Sequence, residues 1–138
     1  MYIRIPKSLK VKRIVNYTPQ ELKNFETKIA KNYNDALIKG PIHLSHGNEK
    51  QLIKIFKYID KNDWVFSSWR NHYHALLHGV NPNLIKKFIF EGKSMSVSSK
   101  NPNFFSSSIV TGILPIALGV AKSNTLKKNK RAVWCFVG

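Results

Sequence analysis

The segment Ala132–Val137 (AVWCFV) constrains the fold of this chain more than any other stretch. Six consecutive apolar residues, β-branched and aromatic among them, suit a strand covered on both faces. Such strands belong to parallel sheets layered between helices. A strand of that kind needs neighbours, because an open sheet edge leaves a row of backbone N–H and C=O groups unpaired. One other stretch, Trp64-Val65-Phe66, reads as a short strand. The expectation is an α/β domain, a parallel sheet flanked by helices, of which these 138 residues form the first and truncated part. In open α/β sheets ligand-binding loops leave the carboxyl ends of the strands. Gly138, one residue past the apolar run, therefore falls at the doorway of a site.

Helices fill the interval before that strand. Residues 1–17 are basic and mildly apolar and read as an N-terminal arm, leaving 18–138 as the partial domain. Thr18-Pro19-Gln20-Glu21 is a helix start: a capping hydroxyl, proline at the first helical position and a glutamate three residues after the cap. Leu22, Phe25, Ile29, Tyr33 and Leu37 then recur on one face until Gly40-Pro41. A second amphipathic helix carries Leu52, Ile55, Phe56 and Ile59, and Ser67-Ser68-Trp69-Arg70-Asn71-His72 opens a short one that Gly79 closes. Asn81-Pro82 opens another, with Leu84, Ile85, Phe88 and Ile89 toward the core and Gly92 at its end. Residues 92–108 read as a long polar loop of the kind that is mobile or functional. Ile109–Lys122 is apolar nearly all round and predicts a helix enclosed on several sides. Its apolar run is too short for a membrane span.

Charge is the other strong signal. Lys and Arg number 23 against 7 acids, a net charge of +16. That balance suits a nucleic-acid partner. Yet 19 of the 23 are lysines, and base readout and bidentate phosphate contacts favour arginine. The 13 Asn and 14 Ile share A/T-rich codons with Lys, so coding bias accounts for all three. The densest basic run, Lys127–Arg131, is either solvated surface or the core of a basic nucleic-acid-associated module, and both readings stay open. A third keeps the chain as an interaction piece that docks through its apolar helix and strand. A single cysteine, Cys135, excludes a disulfide framework. No unbroken apolar segment follows the N-terminus, so the expected address is the cytoplasm.

Candidate chemistry clusters in the middle of the chain. All five histidines lie between His43 and His78. The pairs His43/His46, His72/His74 and His74/His78 have metal-ligand spacings, but no carboxylate or thiol accompanies them at such spacing, so no metal ligand is assigned. The serines of 94–99 and 106–108 lack a nucleophile elbow and a fixed base. Arg70, His72 and His74 are more pointed. They follow a strand at a helix start, where a guanidinium suits a phosphate.

At these residues the sequence resembles a known family. The matching pieces are His43-Leu44-Ser45-x-Gly47-x-Glu49 and Asp63-x-Val65-Phe66-Ser67-Ser68-Trp69-Arg70-x-His72. They continue with His74-Ala75-Leu76-x-x-Gly79-Val80, Phe90-x-Gly92-Lys93, Ile109-Val110, Pro115-Ile116-Ala117-x-Gly119-x-Ala121 and the strand ending in Gly138. In that order and spacing they resemble the alpha subunit of the thiamine-diphosphate-dependent dehydrogenase component of 2-oxo acid dehydrogenase complexes, the pyruvate, branched-chain and acetoin type.

The resemblance implies a thiamin-diphosphate-binding fold and a cofactor of thiamine diphosphate with Mg²⁺. It implies that Arg70 contacts the diphosphate, that Trp69, Ser108 and Val110 line the cofactor, and that Gly138 is the first Gly of a Gly-Asp-Gly motif whose metal-ligating Asp follows. His43 and His72 would sit near the reactive ring and the substrate as proton donors. Partners would be a beta subunit, which activates the cofactor, and a lipoyl-bearing acyltransferase. Trp69 stands where the family usually has Tyr, Tyr73 where it has Gly, and Ser108 and Thr111 where it has glycines. The segment between Lys93 and Asn103 is shortened, which leaves the identity of the oxo acid open.

Overall fold

The computed structural model describes residues 10–138. Of the expected arm, residues 1–9 lie outside them. The elements are α1 Pro19–Asn34, α2 Glu49–Phe56, β1 Trp64–Ser67, α3 His72–His78, α4 Pro82–Phe90, β2 Ser98–Ser99, β3 Phe104–Ser106, α5 Ile113–Leu126 and β4 Val133–Phe136. The strands form one sheet in the order β2-β3-β1-β4. β1 lies parallel to β3 and to β4, while β2 and β3 form an antiparallel pair. The α/β class stands, with a mixed rather than wholly parallel sheet.

Local chemistry accounts for the helix starts. The Thr18 hydroxyl accepts from the Glu21 N–H at 3.2 Å, and the Glu21 carboxylate accepts from the Thr18 N–H at 2.7 Å, a complete capping box. The Asn81 side chain accepts from the Asn83 N–H at 2.9 Å, with Pro82 next in line. α1 stops at Asn34, however, and Tyr33 and Leu37 are exposed. Leu22, Glu26 and Ile29 form its buried stripe.

Strand alternation divides the sheet's side chains between two layers. Val65, Phe104, Trp134 and Phe136 face the larger core, built with α1 to α4 around Phe56, Leu76, Ile85 and Ile89. Phe66, Trp64, Phe105 and Val133 face α5, meeting Ile113 and Ala117. This is the helix–sheet–helix layering of an α/β domain.

Three sequence expectations need correction. The central strand is β1, whose last three residues are buried. The apolar run of β4 pairs only with β1 among the described residues and is half-buried. The polar stretch 92–108 holds β2 and β3, whose pairing with each other and with β1 supplies what its own composition does not. α5 meets the sheet along one stripe and is otherwise uncovered among the described residues: Leu114, Ile116 and Leu118 are exposed, Leu118 to 71%.

Before α1, the Lys12 and Arg13 N–H groups donate to the Lys57 carbonyl. The Arg13 guanidinium donates to the Ile59 and Leu77 carbonyls at 2.8 and 2.7 Å and lies 6.0 Å above the Phe56 ring.

The α1–α2 connection and the end of α4 meet at two glycines. Gly92 has φ +74°, and a Cβ there would stand 2.5 Å from the Lys39 carbonyl oxygen. Gly92→Ala is expected to cost about 2–3 kcal/mol, from a left-handed backbone and a clash with main chain. The urea midpoint with an unchanged m-value checks it; a shift worth under about 0.5 kcal/mol would refute it.

Candidate functional site

The carboxyl ends of β1 and β4 open into a cleft of about 560 Å³. Its walls come from Leu44, Ser45, His46 and Asn48 of the α1–α2 connection, Leu52 of α2, Ser68 and Arg70 after β1, His74 of α3, and Phe136 to Gly138 at the end of β4. The register explains the convergence. Ser67 stands opposite Phe136, and the Ser68 N–H donates to the Phe136 carbonyl at 3.0 Å, so the residues leaving both strands emerge side by side. Ser68 Oγ lies 3.6 Å from where a Cβ on Gly138 would stand.

Arg70 and Gly138 thus share one cleft. Arg70 is exposed and makes no ion pair among the described residues, so its five donors are available to an anion. Trp69 is half-buried and meets the edge of the His43 ring at a centroid distance of 6.3 Å. His43 is half-buried beside the cleft wall rather than on it. Ser108 and Val110 are exposed on the connection leaving β3, away from the cleft lining.

His72 is fully buried. Its Nδ1 lies 3.1 Å from Glu26 Oε2 and its Nε2 2.9 Å from Ser94 Oγ. Glu26 also accepts from the Ser45 N–H at 3.2 Å, tying α1, α3 and the His43-containing connection together. Sequence reading gave Glu26 no role. A carboxylate within a helix's buried stripe, between Leu22 and Ile29, is the signal that could have found it.

His74 and His78 are the pair with i,i+4 spacing. Both pack against Phe56, at 6.2 and 6.4 Å. Burial pushes the His74 pKa down to about 3. Burial and then the nearby Arg13 charge push that of His78 down to about 4, so both are neutral at pH 7. Among the described residues no three His, Cys, Asp or Glu side chains come together to hold a metal ion.

The basic run falls elsewhere. Lys130 and Arg131 line a separate cleft with Lys10 and Lys12 where β1 and β4 begin, at the opposite end of the strands from Arg70. No helix among the described residues is long and apolar enough to cross a membrane.

Residues 17–138 match the family described as dehydrogenase E1 component. The chain belongs to that family. Among its relatives, the pyruvate dehydrogenase E1 component subunit alpha of Porphyra purpurea is 30% identical over 133 residues, which cover 84% of this chain and 39% of that protein. The chloroplastic pyruvate dehydrogenase E1 component subunit alpha-3 of Arabidopsis thaliana is 29% identical, covering 77% of this chain and 27% of the relative. The alpha subunit of acetoin:2,6-dichlorophenolindophenol oxidoreductase of Bacillus subtilis (strain 168) is 24% identical, covering 86% and 38%. The chain therefore spans less than two fifths of the length of these relatives. Within the dehydrogenase E1 component family it carries the alpha-subunit stretch in which the Trp69-Arg70 and His72 segment lies.

Proposed function

We propose that this chain supplies the arginine-bearing wall of a diphosphate site in a thiamine-diphosphate-dependent 2-oxo acid dehydrogenase. One observation carries the reading: an exposed guanidinium, Arg70, without an ion pair among the described residues, faces the same cleft as Gly138 at the carboxyl ends of two paired parallel strands. The donors present suit a diphosphate. Arg70 brings the charge, and the Ser45 and Ser68 hydroxyls and the Asn48 amide stand around it. When bound, thiamine diphosphate supplies the electron sink for decarboxylation of a 2-oxo acid. Mg²⁺ would accompany the diphosphate, and no step is assigned to it because no ligand trio for it lies among the described residues.

The chain's own residues divide the remaining tasks. Arg70 holds a diphosphate oxygen, and Trp69 with His43 forms an aromatic wall beside it. His43, half-buried, is the proton donor we assign toward the substrate. His72 has both ring nitrogens engaged and acts by positioning, through Glu26, the connection that carries His43. Ser108 and Val110, off the cleft lining, are the weakest members of the cofactor set. The uncovered apolar face of α5 suits a beta subunit, which in this reading completes the site. The acceptor of the acyl group would be a lipoyl disulfide on an acyltransferase. We place the protein in the cytoplasm, where its exposed Cys135 meets a reducing medium.

Calorimetric titration with thiamine diphosphate and Mg²⁺ tests the proposal. Arg70→Ala is expected to weaken binding about 10- to 100-fold, the loss of charge-assisted hydrogen bonds, with an unchanged melting temperature. Equal affinity of the variant and the parent would remove Arg70 from the site and the reading with it.

A further inference from the structure

His74 is the one buried polar side chain in the cleft that the reading above leaves without a task. It stands seven residues after Ser67, returned to the sheet's end by the turn into α3. Ser67 Oγ lies 2.7 Å from His74 Nδ1, and both residues are buried. The serine has one proton to give. Its alternative acceptor is the neighbouring Ser68 carbonyl, at 3.2 Å. The shorter contact has the length of a strong hydroxyl hydrogen bond and the longer one does not. Assigned from these distances, the hydroxyl donates to Nδ1, so the ring's own proton resides on Nε2.

Packing fixes where Nε2 can go. The imidazole lies stacked on Phe136, at 4.3 Å and 24°, and nearly parallel to Phe56, at 6.2 Å and 15°, while the two phenyl rings stack on each other at 5.2 Å. Its plane is held by both, and Nδ1 is held by Ser67. Nε2 meets no protein partner among the described residues, is not among the buried polar atoms left unsatisfied, and belongs to a residue on the cleft wall with Arg70 and Gly138. The other histidines of α3 lack this freedom. His72 has both nitrogens engaged, and His78 Nε2 donates to the Asp63 carbonyl at 3.2 Å, near the start of β1.

We propose that the Ser67–His74 pair is a second anion contact of this cleft, in which an uncharged imidazole donates its Nε2–H to a diphosphate oxygen beside Arg70. The inference rests on the diphosphate reading of the cleft, and deepens it. Burial keeps the ring neutral, so it adds direction to the site without a second cation beside the guanidinium. With the opposite tautomer, Nε2 would turn a lone pair toward the anion and repel it. Ser67 thereby acts as a positioning residue that selects the donor form.

Long-range ¹H–¹⁵N spectra of the ¹⁵N-labelled chain read both halves of the proposal. At pH 7 His74 is expected to show a protonated Nε2 and a bare Nδ1, and Ser67→Ala to mix the two forms. Inorganic pyrophosphate is expected to move the His74 Nε2 resonance. His74→Phe, which keeps an aromatic ring stacked on Phe136, is expected to bind pyrophosphate about tenfold more weakly, and His74→Gln, with an amide N–H near the Nε2 position, to recover part of that loss. A protonated Nδ1, a resonance that pyrophosphate leaves in place, or a folded His74→Phe that binds as the parent does would each overturn the proposal. Thiamine diphosphate separates it from the parent reading. If that cofactor binds no tighter than pyrophosphate while His74 still responds to both, the anion contact stands and the thiamine assignment falls. If it binds tightly with His74 unmoved, the reverse holds.

Discussion

Lowering the pH from 7 to 4 is expected to unfold this protein through two histidines. His74 and His78 are buried, with pKa values pushed down to about 3 and about 4. In the unfolded chain each titrates near the ordinary value of about 6.5. Below that pH the unfolded state takes up protons that the folded state refuses, so stability falls as the pH falls. Each histidine contributes stability fully present above about pH 6.5 and lost progressively toward its folded pKa. The slope is about 1.4 kcal/mol per pH unit per proton, so about 3 kcal/mol per unit while both act. Across the window the loss reaches several kcal/mol, comparable with the whole stability of a domain this size. Urea midpoints followed by circular dichroism at pH 7, 6, 5 and 4 measure it. His78→Phe should roughly halve the slope, and a midpoint flat from pH 7 to 4.5 would show that these rings are not buried as neutral groups.

The same histidines mark how far the sequence could be read. Their crowding between His43 and His78 is visible in the sequence, and so is their metal-like spacing. Neither says that the His74 and His78 rings meet Phe56, or that the partner of His72 is a glutamate 46 residues earlier. Spacing reports which residues share a helix face and nothing about what the next element brings to that face. Thr18 and Asn81 were legible because a cap is satisfied within three residues. β3 was not. Phe104-Phe105-Ser106 becomes a strand by pairing with β1 some 39 residues away, and two aromatics beside a run of serines carry no alternation long enough to show it. α5 errs the other way. Its all-round apolarity was plain, and the enclosure inferred from it concerned neighbours that the described residues do not supply. Of the site, the convergence of Arg70 on Gly138 could be anticipated from strand polarity, whereas Ser45 and Asn48 arrive through packing.

That convergence depends on a carboxylate at the far end of the strands, and removing it is expected to be among the most damaging single changes. Asp63, buried just before β1, accepts from three donors. Its Oδ1 takes the Ala132 N–H at 2.9 Å; its Oδ2 takes the Trp134 indole N–H and the Asp60 N–H, each at 3.0 Å. Two of these donors belong to β4 or the residue before it, so the side chain pins the strand's entry to the start of β1. Asp63→Ala should cost about 3 kcal/mol, because three part-buried donors lose the charged acceptor they share. Asp63→Asn should recover little of it, since the amide nitrogen then confronts donors where an oxygen accepted. Trp134→Phe deletes one of the three donors while keeping a ring against the core. It should cost about 1 kcal/mol and couple with Asp63→Ala, which a double-mutant cycle would measure. β4 pairs with β1 alone among the described residues, so loosening its entry frees its tip as well, and the tip is the Gly138 side of the cleft. A folded Asp63 variant should therefore show faster amide exchange along Val133–Phe136 and weaker pyrophosphate binding, even though no atom of Asp63 approaches the ligand. An Asp63→Ala variant within about 0.5 kcal/mol of the parent, with β4 amides equally protected, would mean that strand pairing alone holds the cleft in shape.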